Sequence, residues 1–265
     1  MKTLVAIGEA LIDFAPQQAG RQIKDTESFM PKVGGAPANV CGAYAKLGGK
    51  AVMLTQLGAD PFGDKIVEEL AHSGIDTTYI SRTEEANTSL AFVALLENGD
   101  REFTFFRKPG ADMLYRPEQV PEEVFADAYA LHFCSVSLGD YPMKQAHKKA
   151  IEKASAAGVM ISFDPNLRPQ LWPDQAQLKA AVTEFLPYAD ILKLSDEELF
   201  FYHRQRTYCR CSGRAVCYGN LCDLIYERKS GCGGLHKNSA CSCVRHWEKG
   251  SGYDRSGRRI YWFFP

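Results

Sequence analysis

Two consecutive glycines stand directly before a predicted helix, in the string VGGAPANV at residues 33–40. Because glycine has no side chain, Gly34 and Gly35 would let a ligand approach the backbone, and the helix N-terminus would offer free N–H groups to its oxygens. Asn39, one turn into the helix, can donate to a hydroxyl. Taken alone, the motif favours a tight turn between a strand and a helix.

Polar residues also follow two predicted strands. Asp13 ends the first of them, TLVAIGEALIDF, and ligands of open parallel sheets gather at such ends, although a lone carboxylate there is more often a turn former. The string FDPNLRPQLW places Asp164, Asn166 and Arg168 at alternating positions, which puts them on one side of an extended segment. An arginine beside an amide suits phosphate or sugar oxygens. The alternative is a proline-bounded loop capped by its own Asp and Asn.

A fourth pattern is LKLSDEEL, which puts Lys193 at the end of a strand and Glu198 on the following helix. A solvated helix start would give the same pattern, since the helix dipole favours acidic residues in the first turn. Each pattern is weak by itself. Together they place polar side chains at the carboxyl ends of several strands, where α/β proteins bind ligands.

The elements that must position these residues alternate between strand and helix through residues 1–201. Short apolar runs such as AVMLTQLG, VMISFDPN and DILKLS alternate with amphipathic runs such as DPFGDKIVEELAHSG and MKQAHKKAIEKASAAG. This order predicts an α/β fold with a parallel sheet covered by helices on both faces. Asn98-Gly99 lies between two strand-like runs at 88–107, and we expect this hairpin to project as a small β lid.

Composition limits the partners. The chain has 265 residues, 24% of them charged, and a formal net charge of −1, so nothing predicts nucleic acid binding. No apolar run is long enough to cross a membrane, and the N-terminus lacks the pattern of a signal peptide. We therefore expect a cytoplasmic protein that binds no membrane.

The character of the sequence changes near Tyr202. Residues 202–265, the tail, carry 12 Lys and Arg against 4 Asp and Glu, and they hold seven of the nine cysteines. A zinc module is one interpretation, but the Cys-x-Cys pairs at 209/211 and 241/243 fit no common site. A disulfide domain fits less well, because seven is an odd number and residues 1–201, the body, have the composition of a cytosolic protein.

The body resembles the ribokinase/PfkB family of carbohydrate kinases, and within it the fructokinases. The resemblance rests on strings that occur in family order: GEALIDF, VGGAPANVCGAYAKLGG, LGADPFGDKI, FRKPGADMLY, FDPNLRPQLW and LKLSDEEL. It implies a ribokinase-like, Rossmann-type sheet with a β lid that closes over the sugar. It also implies ATP with Mg²⁺ as the phosphoryl donor, and it allows a homodimer.

The resemblance also implies a role for each matching residue. Asn166 and Lys193 would face the nucleotide and its phosphates. Glu198 would act on Mg²⁺ indirectly, as the glutamate of the family's Asn-x-x-Glu motif, with Ser195 where asparagine is usual. The residues that would face the sugar are Asp13, Gly34, Gly35, Asn39, Arg107 and Arg168.

One family feature has no counterpart in the chain. The family supplies its catalytic base and anion-binding N–H groups with a Thr-Gly-Ala-Gly-Asp turn, and no such string occurs here, so we assign no catalytic residue. Reading the codons one base out of register permits TGAGDAFIGFF across residues 254–264, with only the glycine at Trp262 compelled. The same shift permits FITGKE at 201–206 and TKG at 226–228. We therefore interpret the tail as frameshifted and poorly ordered.

The sequence thus predicts an ATP-dependent kinase of a small sugar, with fructose as first choice, for the protein encoded in the restored frame. A 2-keto-3-deoxygluconate kinase is the nearest alternative, because its motifs overlap. A non-catalytic sugar-binding protein is a further alternative, since the residues assigned to the sugar are present while the base is missing. For the chain as written, we expect no kinase activity and poor folding.

Overall fold

The computed structural model describes residues 2–96, 101–195, 198 and 201, and the backbone of four later strands at 208–211, 215–218, 248–253 and 259–264. It divides into two compact units. The first comprises residues 1–133 and 137–159, and the second comprises residues 134–136 and 160–265.

The first unit contains nine strands and three α-helices among its described residues. The strands are β1 (Thr3–Ile7), β2 (Leu11–Pro16), β3 (Phe29–Gly34), β4 (Lys50–Gly58), β5 (Ile75–Asp76), β6 (Ile80–Thr83), β7 (Leu90–Leu95), β8 (Arg101–Phe106) and β9 (Ala128–Cys134). The helices are α1 (Ala36–Lys46), α2 (Pro61–His72) and α3 (Pro142–Ala156).

The main sheet of this unit is parallel, as the alternation of strands and helices predicts. β1 pairs in parallel with β4 and β9, and β4 pairs in parallel with β5 and β6. Buried side chains of α1 and α2, including Cys41, Ile66 and Leu70, pack with strand residues such as Met53 in one apolar cluster. Burial of this cluster removes apolar surface from water and holds the N-termini of both helices in place.

A second, smaller sheet corresponds to the predicted lid, but it is larger than a hairpin. Its strand order is β3-β2-β7-β8, with β7 and β8 antiparallel as expected from Asn98-Gly99, although these two turn residues lie outside the described ranges. The prediction of a single first strand over TLVAIGEALIDF is wrong. Gly8, at φ 144°, lets the chain leave the main sheet after β1, and β2 begins at Leu11 in the small sheet.

The second unit contains β10 (Met160–Asp164), α4 (Gln175–Phe185), β11 (Ile191–Ser195), β12 (Tyr208–Cys211), β13 (Ala215–Tyr218), β14 (Glu248–Tyr253) and β15 (Arg259–Phe264). β10 and β11 are parallel, β15 runs antiparallel to β11, and β14 runs antiparallel to β15. β12 and β13 form a separate antiparallel pair. The parallel sheet and the additional small sheet confirm the predicted fold class.

Most of the tail lies outside the residues that the structure describes, so the expectation of poor order there stays a prediction. The side chains of the candidate zinc ligands also lie outside the described residues. Among the described residues, no helix is long and apolar enough to cross a bilayer.

Candidate functional site

Asp13 and Gly34 contact each other across the small sheet. Asp13 lies within β2, where it pairs opposite Lys32 of β3, and therefore not at the end of a main-sheet strand as predicted. A Cβ atom built on Gly34 would lie 2.0 Å from Asp13 Oδ2. The carboxylate therefore rests against bare backbone, and the absence of a side chain at Gly34 is what permits this approach.

Gly35 forms the N-cap of α1 in a conformation that favours glycine, with φ 103°. A Cβ atom there would lie 2.4 Å from the carbonyl oxygen of Glu9. Asn39, in the first turn of α1, is exposed. The expectation of free N–H groups needs one correction, because the Ala36 N–H donates to Glu9 Oε1 at 3.1 Å.

Arg107 follows β8 and is almost fully buried. Its guanidinium forms an ion pair with Asp112, with Nε 3.0 Å from Oδ2, and its Nη2 also donates to Asp112. Ser89 donates to the other carboxylate oxygen of Asp112. Burial acts to lower the pKa of Arg107, but the charge and hydrogen bonds of Asp112, together with Tyr141 and Glu9, outweigh burial, and the net shift is upward. The charged guanidinium is therefore fixed in one orientation.

Glu9 extends this arrangement and was not singled out by the sequence analysis. Ser137 Oγ accepts from Arg107 Nη2 at 3.1 Å and donates to Glu9 Oε2 at 3.0 Å. Burial raises the pKa of Glu9, and the charge of Arg107 opposes that rise. We call Glu9, Arg107, Asp112 and Ser137 the Arg107 cluster. The one feature of the sequence that could have pointed to Glu9 is that its carboxylate stands inside an apolar run.

In the second unit, β10 ends at Asp164 and the chain turns at once. Asp164 Oδ1 accepts from the Asn166 N–H at 3.1 Å, and Asn166 has a positive φ of 42°. The predicted alternation of Asp164, Asn166 and Arg168 along an extended segment is therefore wrong, because a left-handed residue interrupts it. Arg168 Nη1 donates to the carbonyl of Leu167 at 2.8 Å.

Lys193 lies in the middle of β11 rather than at the end of a strand as predicted, and Asp164 and Glu198 lie close to it. Lys193 Nζ lies 3.0 Å from Asp164 Oδ1 and 3.9 Å from Glu198 Oε2. We call these three residues the Lys193 cluster. Burial and the charge of Glu198 raise the pKa of Asp164 to about 6, although Lys193 acts to lower it. Burial alone would lower the pKa of Lys193, but Asp164 and Glu198 outweigh it and raise that pKa.

Glu198 is held by backbone N–H groups as well as by Lys193. Its Oε2 accepts from the Ser195 N–H at 2.7 Å, and Ser195 Oγ accepts from the Glu198 N–H at 3.2 Å, which is a capping box. Its Oε1 accepts from the Leu167 N–H at 3.1 Å. Glu198 is buried, so the alternative of a solvated helix start does not hold. The Ser-x-x-Glu spacing could have revealed this from sequence.

The comparisons with known proteins show the family of the chain. The family described as pfkB family carbohydrate kinase matches residues 1–205. The chain is 40% identical over 218 residues to "Probable fructokinase-3" of Arabidopsis thaliana, an alignment that covers 82% of this chain and 63% of that protein. The chain thus spans less than two thirds of this relative's length, and 60% of fructokinase-2 of Solanum lycopersicum, to which it is 41% identical.

Solved structures are similar over comparable shares of the chain. A fructokinase from Xylella fastidiosa with bound ATP is 37% identical with a TM-score of 0.74, over 86% of this chain and 69% of that one. A structure described as a "putative Ribokinase II in complex with ATP and Mg+2" from E. coli is 30% identical with a TM-score of 0.70, over 78% of this chain and 66% of that one.

Proposed function

Because the chain belongs to the pfkB family of carbohydrate kinases, we propose that it derives from an enzyme that transfers a phosphoryl group from ATP to a hydroxyl of a small sugar, with fructose as first choice. The fructokinases among the similar proteins support this substrate. The observation that carries the proposal is the Asp13 carboxylate resting on the backbone of Gly34. The Asp13 carboxylate can accept hydrogen bonds from sugar hydroxyls, and it lies beside the start of the helix that carries the exposed amide of Asn39.

The residues assigned to the sugar differ in their chemistry. Asp13 would accept hydrogen bonds from sugar hydroxyls, and Asn39 can both donate and accept. Gly34 and Gly35 leave room for the ring to approach the backbone. Arg107, oriented by Asp112, would present a fixed donor. Arg168 is assigned to the substrate by the family motif alone.

The Lys193 cluster fits a nucleotide site in which Mg²⁺ is bound through water. Both oxygens of Glu198 already accept a backbone N–H, and each keeps one lone pair for a water molecule of the ion. When bound, Mg²⁺ would neutralise charge on the phosphates of ATP. Lys193 would supply a positive charge to the nucleotide, and Asn166 would lie beside its phosphates.

The 265-residue chain itself is proposed to be inactive. It has no counterpart of the base and anion-binding turn of the family, and loss of the base alone typically costs about 10²–10⁴ in rate. Loss of the anion-binding N–H groups costs on the order of 10²–10³ more. The family match that ends at residue 205 supports the interpretation of the tail as frameshifted.

Two preparations test the proposal. The gene is expressed as written and with the reading frame restored near residue 200, and both proteins are assayed with ATP, Mg²⁺ and a panel of sugars. We expect turnover of fructose by the restored protein alone. Turnover of 2-keto-3-deoxygluconate without fructose would identify the alternative kinase, and an active, cooperatively melting chain as written would contradict the frameshift. Resequencing across codons 199–202 checks the same point in the DNA.

A non-catalytic sugar-binding protein is the second candidate, because most of the residues assigned to the sugar are present in the first unit. Calorimetric titration of the 265-residue chain with fructose tests it, and the absence of heat would exclude this candidate. The cytoplasm is the proposed compartment, since the buried residues Cys41 and Cys134 are thiols rather than disulfides, as is usual in a reducing environment.

A further inference from the structure

Glu9 contacts the start of α1 with both its backbone and its side chain. Its carbonyl oxygen lies against Gly35, and its Oε1 accepts from the Ala36 N–H. These contacts hold the start of α1 in place. Asn39 lies in the first turn of the same helix, so its position depends on Glu9. Glu9 also lies four residues before Asp13 in the short connection from β1 into β2.

The other oxygen of Glu9 leads to Arg107 through one hydroxyl. Ser137 donates to Glu9 Oε2 and accepts from Arg107 Nη2, so its single proton and its lone pairs are directed by the two neighbours. Glu9, Ser137 and Arg107 are buried, which strengthens these charge-assisted hydrogen bonds. One carboxylate thus joins the start of α1 to the arginine that follows the lid strand β8.

We propose that Glu9 and Ser137 are positioning residues of the sugar site, which hold the start of α1 and the guanidinium of Arg107 at a fixed separation. The inference rests on the proposed function, because it takes Asn39 and Arg107 as sugar ligands. Neither Glu9 nor Ser137 needs to touch the sugar. Their effect is on how well its ligands are placed before it binds.

Two variants break the arrangement at different points. Glu9→Gln keeps an oxygen for the Ala36 N–H but replaces the acceptor that faces Ser137 by a donor, and Ser137→Ala removes the connecting hydroxyl. Glu102→Gln is the matched control, because Glu102 also accepts from a backbone N–H, that of Ile23 at 2.9 Å, but does not belong to the Arg107 cluster. All are made in the protein with the restored reading frame, because the 265-residue chain is expected to fold poorly.

The first measurement is the fructose dissociation constant by calorimetry. We expect Glu9→Gln and Ser137→Ala each to weaken binding about tenfold, the factor that corresponds to one charge-assisted hydrogen bond. The double variant should be no weaker than either single variant, because both remove the same connection. Glu102→Gln should bind as the parent does. Unchanged binding by the two cluster variants would overturn the proposal.

The second measurement is hydrogen exchange, which needs no sugar. Ser137→Ala should speed exchange at residues 107–112 and leave residues 35–39 protected. A further variant, Glu9→Ala, removes both carboxylate oxygens and should speed exchange in both segments. Faster exchange in only one segment of Glu9→Ala would overturn the connection. If the restored-frame parent protein binds no sugar, the proposed function fails, while the exchange data still decide whether Glu9 holds both segments.

Discussion

Arg107 and Lys193 are each paired with an aspartate, but the two pairs differ in burial. The side chains of Arg107 and Asp112 are 2% and 1% exposed, whereas those of Lys193 and Asp164 are 21% and 16% exposed. Arg107 contacts Asp112 through two nitrogens, and Lys193 contacts Asp164 through one. Water can therefore reach the Lys193 cluster, while the Arg107 cluster must satisfy its charges internally.

The difference in burial implies that the Arg107 cluster is rigid and that the side chains of the Lys193 cluster can rearrange. A buried bidentate pair is costly to break and has little freedom to reorient, which suits a residue that must hold one position. A partly exposed lysine between two carboxylates can exchange partners when a charged ligand such as a nucleotide arrives. Variants of the protein with the restored reading frame test this contrast, in order of expected effect.

The largest effect is expected from Asp112→Asn, which leaves the guanidinium of Arg107 buried without its counter-charge. We expect the free energy of unfolding to fall by about 3–5 kcal/mol. Asp164→Asn is the matched change in the other cluster and should cost about 1 kcal/mol or less, because Lys193 keeps Glu198 and contact with water. Urea unfolding of both variants measures the difference. Equal losses of unfolding free energy would contradict the contrast between the Arg107 and Lys193 clusters.

Gly34→Ala should come next, measured as fructose affinity. The new Cβ would lie 2.0 Å from Asp13 Oδ2, so the carboxylate must move away from its place. Loss of its hydrogen bonds should weaken binding by about 10–100-fold. Gly42→Ala is the control on α1, where a Cβ atom meets nothing within 4 Å and fructose affinity should not change.

The pH dependence of stability should distinguish the two clusters as well. The pKa of Asp164 is raised to about 6 from an ordinary value of 3.8, so the native state holds its proton more tightly than the unfolded state. The resulting stabilisation is complete below about pH 4 and is lost as pH rises through about 6, by on the order of 1–2 kcal/mol. The Asp164→Asn variant should not lose stability in this way as the pH rises, because it has no carboxyl group to titrate at this position. Parallel stability curves for parent and variant between pH 4 and 7 would contradict the shift.

The smallest effect is expected at Asn166, whose φ of 42° is easy for glycine and unfavourable for alanine. Asn166→Gly should change the free energy of unfolding by less than about 0.5 kcal/mol, and Asn166→Ala should lower it by about 1 kcal/mol. Thermal melting of the two variants compares them directly. An alanine variant as stable as the glycine variant would show that the left-handed turn is not retained.

Much of the fold could be predicted from local patterns. The order of strands and helices follows from short apolar runs and from the cap at Asp60, which accepts from the Gly63 N–H as a helix N-cap should. The prediction for the first strand is wrong because an apolar run continues through Gly8, and only the backbone conformation there separates β1 from β2. The left-handed turn at Asn166 was not predicted for the same reason. The alternation of polar residues along the sequence carries no information about the backbone angle φ.

The sequence by itself determined the family motifs, the pairing of Gly34 with Gly35 at a helix start, and the change of character near Tyr202. These depend on residue type and short spacing, which are local properties. Only the tertiary structure decided which polar side chains meet, such as Glu9 with Ser137, 128 residues apart, and Asp164 with Lys193, 29 residues apart. Pairing over such separations depends on how strands and helices pack, and packing is a property of the whole fold.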